Sequence, residues 1–130
     1  MTAQTPTAPK PTVANVGAMR EFVPPFDVQS KLTDKVYEVR FSHMWNGIAT
    51  RHADTIDTKF FVDGKGVVVG LAHTAFYDFR ARTGRDLSDR EASYVAAQYL
   101  QERLEEEDEH ALYDVPHDEV VRLIEKRKIK

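Results

Sequence analysis

The sequence predicts an α+β domain: an antiparallel β-meander of three to four strands, then three α-helices packed mainly on one sheet face, behind a disordered N-terminal arm. Three observations predict it. Asp63-Gly64 separates two alternating apolar runs. The apolar spacing then changes from two to a helical period at Ala72. A capping sequence at Ser88 opens a further helix.

The arm covers residues 1–25 and the domain residues 26–130. Pro6, Pro9, Pro11, Pro24 and Pro25 lack the N–H that helices and ladders need, and the Thr/Ala/Pro-rich stretch shows no period. Phe22, Val23 and Phe26 can dock on the domain edge. In the first strand, residues 35–45, Tyr37, Val39, Phe41 and Trp45 alternate with Glu38, Arg40 and Ser42, the pattern of a sheet with one buried side. Asn46-Gly47 is a type I′ turn signal, with residues 48–52 as a weak return strand or a loop.

The centre of the chain is residues 55–79. Asp63-Gly64 also favours a type I′ turn. A two- or four-residue loop puts Phe60, Val62, Val67 and Val69 on one face, whereas a three-residue loop splits them. The face that must be buried fixes the register, so an even loop is expected. The opposite face, with Asp57, Lys59, Phe61, Gly66, Val68 and Gly70, is mixed and expected to be partly wet. Ala72, Ala75, Phe76 and Phe79 then recur at helical spacing. His73 or Thr74 can cap this helix and Gly84 can end it.

Ser88 and Glu91 make a capping box, with Leu87 and Ala92 as its staple. The second helix buries Ala92, Val95, Ala96, Tyr99, Leu100 and Leu104. It runs into the acidic residues 105–109, which oppose the dipole at a helix C-terminus. A third helix follows Pro116, with Asp114 as a cap and Val120, Val121, Leu123 and Ile124 inside. Its basic end, residues 126–130, suits the dipole.

Composition narrows the function classes. Without cysteine there is no disulfide, thiol nucleophile or thiolate metal site. No apolar run spans a bilayer and no secretory signal is present, so a soluble cytoplasmic protein without membrane contact is expected. A net charge of −3 argues against a dedicated nucleic-acid binder.

Arg80, Arg82, Arg85 and Arg90 cluster around the turn between the first two helices, and Arg80, Arg82 and Arg85, together with Ser88 at a helix start, form a candidate anion site, since guanidinium forks match phosphate and carboxylate. Phe61, Val68, Tyr77 and Tyr94 are candidate partner contacts. If Asn46-Gly47 makes a hairpin, His43 and His52 share a face near Asp54. That trio could hold a metal or line an enzyme pocket, but its face is the one expected to bury Tyr37 and Trp45. No His pair has helical metal spacing, and no serine has a nucleophile context. No metal or other cofactor is expected.

The first functional expectation is a non-enzymatic protein-interaction or regulatory module that self-associates as a homodimer. Acidic and basic helix ends meeting between subunits would make that dimer salt-sensitive. The alternative is nucleic-acid or phosphate-ligand binding through the Arg80/Arg82/Arg85 turn.

Overall fold

Asp63 and Gly64 have φ of 51° and 82° in the computed structural model, the paired positive values of a type I′ turn. Residues 22–130 are described, and the expected arm at residues 1–21 lies outside them. The chain runs β1 (Phe26–Gln29), β2 (Val36–Asn46), α1 (Gly47–Arg51), β3 (Thr55–Val62), β4 (Lys65–Ala72), α2 (His73–Thr83), α3 (Asp89–Glu105), β5 (Leu112–Val115) and α4 (His117–Lys126). The architecture is mixed α+β, with one five-stranded sheet in the order β1-β2-β3-β4-β5.

The two-residue loop pairs Val62 with Lys65 and Phe60 with Val67. Phe60, Val62, Val67 and Val69 therefore share one face, and all four are buried. Val28, Tyr37, Val39, Leu71, Tyr113 and Val115 complete the sheet's side of the core. Ala75 and Phe79 of α2, Val95 and Leu100 of α3, and Val120, Leu123 and Ile124 of α4 close over it. Burying one side chain such as Phe60 stabilises by roughly 1.5–3 kcal/mol. Thr58, also on this face, is buried without cost to its hydroxyl, which donates to the Val69 carbonyl at 2.7 Å.

Four details differ from the sequence expectation. The meander has four antiparallel strands, but its extra member is β1 rather than residues 48–52, and β5 adds a parallel fifth. At four residues, β5 carries too short a pattern to stand out. Second, a β-bulge at Ser42 shifts the register between Phe41 and His43. Phe41 still faces Phe60, but Met44 takes the core side opposite Thr58, and Trp45 moves to the other face opposite Asp57. Third, Asn46 does not turn a hairpin. With φ −82° it caps α1, its side-chain oxygen accepting from the Ile48 N–H at 2.8 Å. Fourth, the expected cap residues differ. Ala72 precedes α2, and the His73 N–H goes to the Asp54 carbonyl. Pro116 itself is the N-cap of α4, while Asp114 points elsewhere.

The capping box at Ser88 and Glu91 forms, contributing about 1 kcal/mol, over a buried Leu87 and Ala92. Gly84 ends α2. Phe22 stacks on Phe41 at 5.1 Å, and the Val23 N–H donates to the buried Ser93 hydroxyl at 3.1 Å, so residues 22 and 23 do dock on the domain.

The acidic end of α3 is neutralised by its own chain. Ser30 and Thr33 hydroxyls both donate to Glu107 at 2.6 Å. Lys31 pairs with Glu105, and its backbone N–H takes the Glu105 carbonyl. Lys35 and the Tyr37 hydroxyl both reach Glu109. The β1–β2 loop thus acts as a cap that the local sequence of α3 gives no sign of.

Candidate functional site

All three long helices lie over the core face, which leaves the other sheet face to α1 and to solvent. At one end of that face α1 is pinned by a buried ion pair. Arg51 donates from Nε and Nη2 to both Asp57 oxygens, at 2.8 and 2.9 Å. Nη2 also reaches Asp114 at 2.7 Å, and Thr55 donates to Asp57 at 2.7 Å. Burial pushes the Asp57 carboxyl up, but the Arg51 fork and the Thr55 hydroxyl outweigh it and hold the group below the usual carboxylate range. Every partner is satisfied, so this cluster is a strut tying α1, β3 and β5 together.

The rest of the face is open. Phe61 and Val68, on adjacent strands at diagonal positions, are half-buried, and Leu112 lies opposite Val68 on β5 and is exposed. They make an apolar stripe across three strands. Arg40 and Lys59 lie over the Phe61 ring at 5.2 and 5.3 Å, and Glu38 stands two residues before Arg40. Phe61 and Val68, both named from sequence, are therefore brought together.

Tyr77 and Tyr94 keep separate company. Tyr77 is exposed and its ring lies 4.7 Å from that of His73. Tyr94 lies under two guanidiniums, Arg90 at 5.1 Å and Arg127 at 4.9 Å.

The arginines of the α2–α3 turn are already engaged. Arg80 pairs with Asp86 at 2.6 Å, and Arg82 with Asp78 at 3.7 Å. Arg85 donates two hydrogen bonds to the Glu91 carboxylate, 2.8 Å on each arm, and also donates to the Lys130 carbonyl. Chiefly through Arg85, the Glu91 carboxyl is lowered to about 2. The Ser88 hydroxyl is used by the helix cap. Cations without a carboxylate partner among the described residues lie elsewhere: Arg40, Lys59 and Lys65 on the sheet hairpin, and Arg90, Arg127, Lys128 and Lys130 around Tyr94.

The histidine trio does not assemble. His43 contacts Ser42 and stacks near Trp45, His52 ends α1 with φ 57°, and Asp54 faces His73 at 3.3 Å. The hairpin that would have joined them is a helix instead. No group of three His, Asp or Glu side chains among the described residues is arranged to hold a metal. An apolar pocket of about 240 Å³ opens at the opposite end of the hairpin, lined by Tyr37, Val62, Val67, Leu104 and Tyr113. Burial and the Glu109 carboxylate, 2.5 Å away, push the Tyr37 phenol well above its ordinary range. That bond and Lys35 hold Glu109 low. Tyr37 is thus a locked donor, and this ion-pair group joins the β2 start to the end of α3.

No family model matches the chain, and neither the curated proteins nor the solved structures searched contain a match. No helix among the described residues is long and apolar enough to cross a membrane.

Arg40, Lys59, Leu112 and Arg127 were not singled out from sequence, whereas Arg90 was grouped with the arginines of the α2–α3 turn. Alternation placed Arg40 and Lys59 on the wetter face and so carried a signal. Arg90 and Arg127 lie thirty-seven positions apart, and only the packing of α3 against α4 brings them to one ring.

Proposed function

We propose that the protein is a non-enzymatic binding module that self-associates through the sheet face its long helices leave uncovered. The observation that carries this reading is the stripe of Phe61, Val68 and Leu112 on a face that the long helices leave uncovered. An apolar centre with a charged rim is the anatomy of a protein interface. The rim holds both signs, Glu38 beside Arg40 and Lys59. A two-fold axis through the stripe can bring Glu38 of one copy to a cation of the other, so the face is complementary to itself. Glu105, Glu107 and Glu109 at and after the end of α3 are engaged within the chain, so the interface rests on the sheet and not on opposed helix ends.

Sedimentation velocity tests this. The wild type is expected to sediment as a dimer. Phe61→Glu puts a like charge in both halves of the interface and is expected to give a monomer with unchanged far-ultraviolet circular dichroism. A wild type that stays monomeric up to the millimolar range overturns the reading, as does a Phe61→Glu protein that remains dimeric.

A further inference from the structure

We infer that the groove between the start of α3 and the end of α4 binds the phosphate backbone of a single-stranded nucleic acid. The two helices run antiparallel: Tyr94 meets Arg127, Gln98 accepts from Arg127 at 3.3 Å, and Glu102 pairs with Arg122 and Lys126. This brings the basic end of α4 beside the first turns of α3. The groove between them has a volume of about 390 Å³, and its lining includes Arg90, Tyr94, Arg127, Lys128 and Lys130.

The charges of this groove are unusual for the molecule. Most arginines of the domain have a carboxylate at ion-pair distance, as at Arg51, Arg80, Arg85 and Arg122. Arg90, Arg127, Lys128 and Lys130 have none among the described residues. One side-chain carboxylate lines the groove, Glu91, and both its oxygens are held by Arg85. Arg90 lies in the first turn of α3, where a cation works against the helix dipole, so helix stability does not explain it.

Two of the four cations, Arg90 and Arg127, are also held in place. Tyr94 carries both guanidiniums against its ring. The segment after α4 turns back through Lys128, at φ 58°, packs Ile129 against the core, and gives the Lys130 carbonyl to Arg85. A groove with ordered cations needs little further ordering to receive an anion.

Four unpaired cations along one groove exceed what a single phosphate requires, and match a chain of phosphates. Guanidinium planes fixed on an aromatic ring offer stacking surfaces to unpaired bases, which a duplex keeps inside. The lining has few apolar side chains to enter a lipid surface, only the half-buried Ile129 and the Tyr94 ring. The chain as a whole is net negative, so this basic groove runs against the overall charge. Because the groove lies in the helical layer, pairing through the sheet face would leave it open.

Fluorescence anisotropy with a short labelled oligothymidylate at low salt tests the inference. Four phosphate contacts give a slope of about −3 for log affinity against log salt on a single strand. The double variant Arg90→Ala/Arg127→Ala, both at exposed positions, is expected to weaken binding at least about tenfold and to halve the slope. Arg80→Ala, which removes a paired arginine of the neighbouring turn, is expected to change neither. Absence of binding at low salt overturns the inference, as does an unaffected double variant. Equal or tighter binding to a blunt duplex or to anionic vesicles also overturns it. Phe61→Glu separates this proposal from the one above, because a monomer with an intact groove should bind the strand normally.

Discussion

Two corners of this chain carry nearly the same dipeptide and fold in opposite ways. Asp63-Gly64 makes a hairpin with both residues at positive φ. Asn46-Gly47 starts a helix, with Asn46 in the extended region. The difference comes from the surroundings. At Asp63-Gly64 the flanking strands bury Phe60, Val62, Val67 and Val69 together, and a Cβ added to Gly64 would meet nothing within 4 Å. The Asp63 carboxylate also accepts from the Glu38 N–H at 2.9 Å, which ties the turn to β2. At Asn46-Gly47 the segment that follows holds Arg51, and Arg51 has a buried carboxylate to reach. A returning strand would leave Asp57 buried without its partner. Gly47 lies so close to Thr55 and Asp57 that a Cβ there would collide with both side chains. One glycine is needed for its dihedral angle and the other for its lack of volume.

The sharpest way to break this contrast is to remove the anchor of the second corner. Asp57→Ala leaves Arg51 with Asp114, whose carboxylate is mostly exposed, and with Thr55. Losing one partner of a buried pair costs about 3–5 kcal/mol, and the remaining Asp114 contact puts this case near about 3 kcal/mol. Urea denaturation should show the loss, and local hydrogen exchange should show α1 opening while the Asp63-Gly64 hairpin stays protected. The wild type has a matching pH signature. The Asp57 carboxyl is held low in the fold, so its contribution is complete above its unfolded pKa and fades as pH falls through the folded value. Stability that this group supplies should therefore decline below about pH 4, and the decline should be shallower in Asp57→Ala.

The two glycines give a smaller and paired test. Gly47→Ala forces the Cβ into Thr55 and Asp57, an overpacking that costs about 1–3 kcal/mol. Gly64→Ala meets open space but must hold φ near 82°, which costs roughly 1–2 kcal/mol, less about 0.4–1 kcal/mol from a stiffer unfolded chain. Thermal melts should rank Gly47→Ala as the more damaging. The opposite order would mean that the dihedral and not the space governs both corners.

The same contrast explains what the sequence made legible. The core hairpin, the Ser88 capping box and the apolar arcs of α2, α3 and α4 all write their reasons into neighbouring residues, and each is present. What stayed hidden was non-local. The Ser42 bulge reverses Trp45 although no glycine or proline marks it. The cap on the acidic run comes from residues some seventy positions earlier. Of the candidate contacts, Phe61 and Val68 were readable because alternation fixes a strand's face. Arg80, Arg82 and Arg85 look like an anion site when read alone, but each has a carboxylate four to six residues away: Asp78 at i,i+4 from Arg82, Asp86 six from Arg80 and Glu91 six from Arg85.

The smallest expected effect probes the claim about surroundings most directly. Exchanging the first residues of the two corners, Asn46→Asp with Asp63→Asn, makes each corner carry the other's dipeptide. Asp and Asn are near-equal helix caps, and both tolerate the left-handed region. The side-chain oxygens that accept from Ile48 and Glu38 survive the exchange. If neighbours decide the outcome, the double variant keeps a helix at residues 47–51 and a hairpin at residues 62–65, and its stability changes by no more than about 0.5 kcal/mol. Backbone amide shifts that move residues 47–51 toward strand values would show that the dipeptide itself selects the turn. The Arg51–Asp57 pair makes that outcome costly, because only the helix delivers the Arg51 fork to a carboxylate that no solvent reaches.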